Sequence, residues 1–197
     1  MTATDAARPG GLTWLVLAYR LPATPGLKTV IRRRFTGMGA VYPAKAVAAM
    51  PASPAAERGL RRLRSMISEA GGSAQLLRAE VIDGERDLIA TFNTAREQEY
   101  RQIITGCDEF MAGIEAMMAA GEFRYPDLGQ RDAELKRLVM ANDVIRTRDT
   151  LGAAEGASAF ASLARCRTAL DSFAKRVYQT DASRSPGAER PSGARPR

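Results

Sequence analysis

Leu88, Phe92, Ala95, Ile103, Cys107, Met111, Ile114 and Met118 recur at helical spacing, which at 3.6 residues per turn marks a helix of about nine turns. A helix of that length cannot close a core on itself, so it demands helical neighbours. Two follow in the sequence. One starts near Pro126 and carries Leu128, Leu135, Leu138, Val139 and Ile145. The other runs from about Ala153 to Tyr178 through Phe160, Leu163, Leu170, Phe173 and Val177. The breaks between them are short, and short breaks make antiparallel neighbours. Residues 83–180 therefore read as an up-down-up three-helix bundle.

The preceding stretch has a different period. Trp14 to Tyr19 is a short apolar and aromatic run before Pro22, the pattern of a buried strand. Thr24 and Pro25 read as an N-cap and first-turn proline, followed by a helix from Leu27 to Met38 that Gly37 and Gly39 end. Residues 40–42 and 46–50 read as two strands about a turn at 43–45. Ser53-Pro54 opens a second helix with Leu60, Leu63, Met66 and Ile67 on its apolar side, Gly71-Gly72 close it, and 74–82 reads as a last strand. The expected fold class is α+β: a ferredoxin-like β-α-β-β-α-β domain over 14–82, with both helices on one face of an antiparallel sheet, followed by the antiparallel bundle. Residues 1–13 read as a flexible N-terminus and 181–197, rich in Pro, Ser and Arg, as a disordered tail.

Function classes fall away by count. The chain has no histidine, which excludes Ser-His-Asp triads, Cys-His dyads and HExxH zinc sites. Its two cysteines, Cys107 and Cys166, lie in no metal spacing and read as free thiols. No apolar run approaches the roughly 20 residues of a membrane span, and no secretory signal is evident, so the expected location is cytoplasmic. No metal, no cofactor and no enzymatic activity are expected.

Charge is unevenly placed. Residues 1–82 hold 12 Lys and Arg against 4 Asp and Glu, whereas residues 83–180 hold 13 against 16. An anionic partner would therefore meet the first part. Arg58, Arg61, Arg62 and Arg64 lie opposite Leu60, Leu63 and Ile67 on a helical wheel, and Lys28, Arg32 and Arg33 lie outside the apolar face of the first helix. Such a face supplies phosphate contacts without reading base sequence, and a merely solvated surface accounts for the same pattern. Arg34 falls on the wheel between Val30, Ile31 and Met38, where a guanidinium meets either a structural acceptor or an oxyanion. Asp108-Glu109, Glu97 with Arg101 and Asp132 with Lys136 read as solvated helical faces. Gly37-Met38-Gly39 lacks the context of a nucleotide loop, and Met117-Met118 reads as core packing.

One ordered set of residues resembles a known family. Leu21-Pro22, Gly39-Ala40-Val41-Tyr42, Met50-Pro51, Gly71-Gly72, Phe92, Arg96, Glu99-Tyr100, Arg146-Thr147-Arg148-Asp149, Cys166, Phe173 and Val177-Tyr178 together resemble the N-terminal domain of the chromate-resistance regulator ChrB, over about residues 14–180. The resemblance implies a chromate-responsive regulator of transcription with DNA as partner, and full-length members of the family carry a further C-terminal domain.

On this reading the arginine-rich helices contact DNA, and chromate, a tetrahedral dianion, is met by guanidiniums before thiols. The oxyanion candidates are Arg34, Arg146 and Arg148, with Asp149 orienting an arginine or simply pairing with it. The thiols are the competing route. Cys166, between Arg165 and Arg167, is the better redox candidate and Cys107 the more buried, while core packing is the plainer reading of both and of Cys107 above all. Other classes fit too: an oxyanion-handling or thiol redox protein, or a helical interaction module without ligand. A homodimer is expected from the breadth of the long helix's apolar surface, where Tyr100, Ile104, Phe110 and Met117 flank the main stripe.

Overall fold

The computed structural model describes residues 11–184. The chain forms an α+β arrangement in two compact units. One takes in the chain up to Tyr100 together with Val144–Gly156, and the other Arg101–Asp143 with the residues from Ala157 onward.

The first unit is built on four strands, β1 (Thr13–Arg20), β2 (Val41–Ala44), β3 (Val47–Pro51) and β4 (Ser73–Glu80), in the antiparallel order β2-β3-β1-β4. Helix α1 (Leu27–Met38) lies between β1 and β2 in sequence, and α2 (Pro54–Glu69) between β3 and β4. The core gathers Leu15 and Leu17 of β1, Ala48 and Ala49 of β3, Ile31 and Phe35 of α1, and Leu60, Leu63 and Ile67 of α2.

Local chemistry explains the helix ends. Ser53 caps α2, its hydroxyl accepting the Ala56 amide at 3.1 Å, and Pro54 occupies the first turn where its missing N–H costs nothing. Past the other end, Gly71 sits at φ 79° and Gly72 donates back to the Ile67 carbonyl at 2.9 Å, a Schellman closure. The start of α1 differs from the sequence reading. Thr24 does not cap it; its carbonyl accepts from the Leu27 amide at 3.3 Å across a Pro25-Gly26 turn, and Gly26 at φ 76° is the cap. Proline then glycine at the centre of a four-residue turn is the type II signature, which outcompetes a threonine cap here.

The unit boundary at Tyr100 falls inside helix α3 (Glu85–Ala120), well beyond residue 82 where composition changes. The physical reason lies in the opening turns of α3. Phe92 belongs to the sheet's core and stands edge-on to Trp14 at 6.2 Å, with Leu88, Ile89 and Ala95 packed beside it.

The second unit contains the remainder of α3, of α4 (Tyr125–Arg148) and of α5 (Glu155–Arg184). Its buried residues include Ile103, Cys107, Phe110, Ile114, Leu135, Leu163, Cys166, Leu170, Phe173 and Val177. Gly106 admits Leu138, whose Cδ2 would lie 2.7 Å from an added Cβ. Phe123 tilts against Phe173 at 6.0 Å, and Tyr125 against Tyr178 at 5.7 Å. Helix α5 continues to Arg184, past the end expected at Tyr178. The rest of the anticipated tail, from residue 185, and residues 1–10 of the N-terminal segment lie outside the described residues. No described helix is long and apolar enough to cross a membrane.

Candidate functional site: an arginine-lined pocket

The first unit holds a pocket of about 490 Å³ bounded by the last turn of α1, the start of α2, β3, Phe92 of α3 and the segment 147–150. Met38, Met50, Met66, Leu63 and Phe92 supply its apolar wall, and Ser53, Thr147 and Thr150 its hydroxyls. Arg34, Arg62 and Arg148 supply three guanidiniums. The space beside α2 exists partly because residue 59 is glycine: a Cβ there would meet Met38 Cε at 2.5 Å.

Arg148 is committed to scaffolding. Its Nη1 donates to the Thr36 carbonyl at 3.0 Å and the Gly37 carbonyl at 3.1 Å, and its Nη2 to Glu99 at 3.2 Å. Its Nε is buried without a partner among the described residues. Burial lowers the guanidinium's pKa, and Glu99 opposes that shift. Arg96, 2% exposed, holds the same carboxylate from its own Nε at 3.0 Å and donates from Nη1 to the Gly39 carbonyl at 2.8 Å. Two guanidiniums thus gather at the carbonyls of the α1 C-terminus, supplementing the Gly39 amide that Thr36 already accepts, and their positive charge complements the helix dipole. Next to them Tyr100 donates to Asp149 at 3.1 Å, and Asp149 accepts from the Gly152 and Ala153 amides at 3.0 Å each. Burial and the Asp149 charge push the Tyr100 phenol up to about 12.

The structure distributes the expected site residues over several surfaces. Arg34 does not lie on the buried side of α1. Ile31 and Phe35 fill that side, Val30 is exposed, and Arg34 is exposed at the pocket beside Met38. Arg58, Arg61, Arg62 and Arg64 are all exposed, but they diverge. Arg62 faces the pocket. Arg61 pairs with Glu57 at 2.7 Å, and Arg64 donates to the Ala74 carbonyl at 3.2 Å on the side of α2 next to β4. Glu57 also binds Arg78 at 2.7 Å, and these hydrogen bonds, Arg61's foremost, hold its carboxyl below the usual range. Lys28, Arg32 and Arg33 line a separate depression on α1, with Arg32 over the Tyr42 ring at 5.7 Å. Arg146 is exposed on the last turn of α4 and does not line the pocket.

The thiols meet in the second unit. The Cys166 Sγ donates to the Cys107 carbonyl at 3.6 Å, and both residues are buried, so Cys166 is not at an accessible stripe edge. Burial pushes Cys107 up to about 12 and raises Cys166 as well. A thiol so placed is a poor nucleophile. Of the residues expected at a dimer face, Tyr100 and Phe110 are buried by their own chain, and Ile104 and Met117 are half-buried. Among the described residues, no group of three or more His, Cys, Asp or Glu side chains stands where it could hold a metal ion.

Sequence reasoning did not single out Ser53, Arg96 or Glu99 as parts of a site. Arg96 carried a readable signal: it lies four residues after Phe92, on the long helix's apolar stripe, where an arginine must find acceptors.

A four-stranded antiparallel sheet, long helices and an arginine-bearing pocket define a basic α+β protein with no histidine chemistry. The family model described as Protein ChrB, N-terminal, matches residues 28–184, and the chain belongs to that family of chromate-resistance regulatory proteins. A comparison with curated proteins finds no match. Gly39, Arg96, Glu99, Tyr100, Arg148 and Asp149, all within the resemblance seen in the sequence, are the residues that form the hydrogen-bonded network beside the pocket.

Proposed function

We propose that this chain is a DNA-binding regulatory protein of the chromate response, acting by binding and not by catalysis. The observation that carries this is the surface of α2: Arg58, Arg61, Arg62 and Arg64 are all exposed while Leu60, Leu63 and Ile67 are buried. Lys28, Arg32 and Arg33 supply a second, separate cluster of positive charge on α1. Such a face neutralises phosphates and supplies affinity common to all sequences. The β-α-β-β-α-β succession and the order β2-β3-β1-β4 support a ferredoxin-like frame for it. The contacts of α3 with α4 and α5 support a three-helix bundle in the second unit, and the exposed Met140 and Phe160 give that bundle surface for a homodimer.

The test is fluorescence anisotropy with duplex DNA across a salt series. Each phosphate contact contributes a slope of about 0.9 in log affinity against log salt. The triple variant Arg58→Ala, Arg61→Ala, Arg62→Ala should bind all duplexes more weakly and show a shallower slope. Unchanged affinity in that variant removes α2 from the reading.

Chromate enters this reading at guanidiniums. The buried thiols, one of them raised to about 12, favour that order over redox capture, and Arg34 is the oxyanion candidate whose guanidinium faces the pocket without a protein partner among the described residues. A Cys107→Ser, Cys166→Ser double variant should keep chromate binding and chromate-dependent DNA release.

A further inference from the structure

The pocket in the first unit is larger and more apolar than an inorganic oxyanion requires. Its volume of about 490 Å³ lies within the range of roughly 300–1,000 Å³ typical of sites for organic ligands. A tetrahedral dianion at Arg34 or Arg62 would leave the wall of Met38, Met50, Met66 and Phe92 wet. Methionine thioethers fit varied apolar shapes, which suits such a wall to a body of carbon atoms.

We infer that this pocket binds an amphipathic organic anion, with its apolar body against the methionines and Phe92 and its carboxylate or phosphate between Arg34 and Arg62. Charge is matched at one end and hydrophobic area at the other. Arg34 and Arg62 face the space, and neither side chain has a protein acceptor among the described residues. Arg148 differs: it is held by Thr36, Gly37 and Glu99, and it adds positive potential without changing its bonds. The hydroxyl of Ser53 is engaged with the Ala56 amide, which fixes the pocket's edge at the start of α2. The inference goes beyond the DNA reading and does not depend on it, because ligand binding is measured with no DNA present.

Octanoate is the probe, followed by isothermal titration calorimetry on the full chain. Octanol supplies the same body without charge, and sulfate and chromate supply charge without body. The expected result is saturable one-to-one binding of octanoate, at least about tenfold tighter than any of the three controls, as a charge-assisted contact combined with apolar burial requires. An Arg34→Ala, Arg62→Ala double variant should lose about tenfold in octanoate affinity. Arg58→Ala, on the same helix but not lining the pocket, should match the parent. Ala55→Trp places a ring at the pocket's exposed edge and should abolish binding while circular dichroism stays unchanged. Trp14, the one tryptophan of the chain, stands edge-on to Phe92 at 6.2 Å, so its emission should shift on binding. Octanol binding as tightly as octanoate, full affinity in the double arginine variant, or the absence of saturable heat would each overturn the inference.

Discussion

The Arg96 guanidinium donates to the Gly39 carbonyl at 2.8 Å, joining α3 to the end of α1 across 57 residues of sequence. The same side chain is 2% exposed and holds Glu99 at 3.0 Å. Replacing Arg96 with Met leaves the Gly39 carbonyl without this donor and Glu99 with Arg148 alone. Breaking one side of a buried pair costs about 3 kcal/mol or more, and urea denaturation should show a loss of that size. Arg148→Met should cost less, about 1–2 kcal/mol, because that side chain is more exposed than Arg96.

Two glycines near each other in sequence should respond in opposite directions. Gly39 sits at φ 84°, and an added Cβ would lie 2.7 Å from Arg96 Nη1 and 3.1 Å from Arg148 Cβ. Gly39→Ala therefore costs about 1–2 kcal/mol for the left-handed backbone and also displaces the Arg96 contact. Gly37 lies within α1, and a Cβ there meets nothing within 4 Å. Gly37→Ala should be neutral or stabilising by up to about 1 kcal/mol, the difference in helix propensity. Thermal melts of the two variants separate backbone conformation from composition.

Period and punctuation made most of the secondary structure legible. Ser53-Pro54 begins α2 as its cap chemistry requires, and the glycines at 39 and 71 close their helices in the left-handed region. The wheel of α1 was less informative because it treats a helix as having one buried side. Ile31 and Phe35 are enough to fill the contact, so Val30 is left exposed and Arg34 reaches the pocket. The pocket itself was not readable, since its wall comes from α1, α2, β3, α3 and the 147–150 segment, distant in sequence. The division at Tyr100 was not readable either. The long helix keeps one periodicity throughout, and no local signal marks where Phe92 stops serving the sheet and Ile103 begins serving other helices.

Asp149 organises the turn between α4 and α5 by accepting from Gly152 and Ala153 as well as from Tyr100. Asp149→Ala leaves these donors without the carboxylate and should cost about 1–3 kcal/mol. Tyr100→Phe removes one donor only and should cost less. The Tyr100 phenol is raised to about 12 by burial first and by the Asp149 charge second. In Asp149→Asn its ultraviolet titration should therefore begin at lower pH than in the parent. An unchanged titration would mean that burial alone sets it.

The buried thiols set a limit on alkaline stability. Cys107 has an ordinary value of 9.0 and is raised to about 12, chiefly by burial, and Cys166 is raised in the same direction. For an acid whose folded pKa exceeds its unfolded one, the contribution to stability is fully present below the unfolded value. It is lost as pH rises toward the folded value, because the unfolded chain sheds protons that the folded chain keeps. Stability against urea should hold to about pH 9 and then fall progressively toward pH 12 as Cys107 and Cys166 ionise in the unfolded state. Tyr42 and Tyr100, each raised from 10.0 to about 12, steepen the decline above pH 10, so the thiol share is read between pH 9 and 10. In that interval Cys107→Ala should show a shallower slope than the parent, whatever its stability at neutral pH. A thiol-specific disulfide reagent at pH 8 should likewise label the folded chain slowly and the urea-unfolded chain fast. Rapid labelling of Cys166 in the folded chain would restore it as a redox candidate and weaken the guanidinium-first route for chromate.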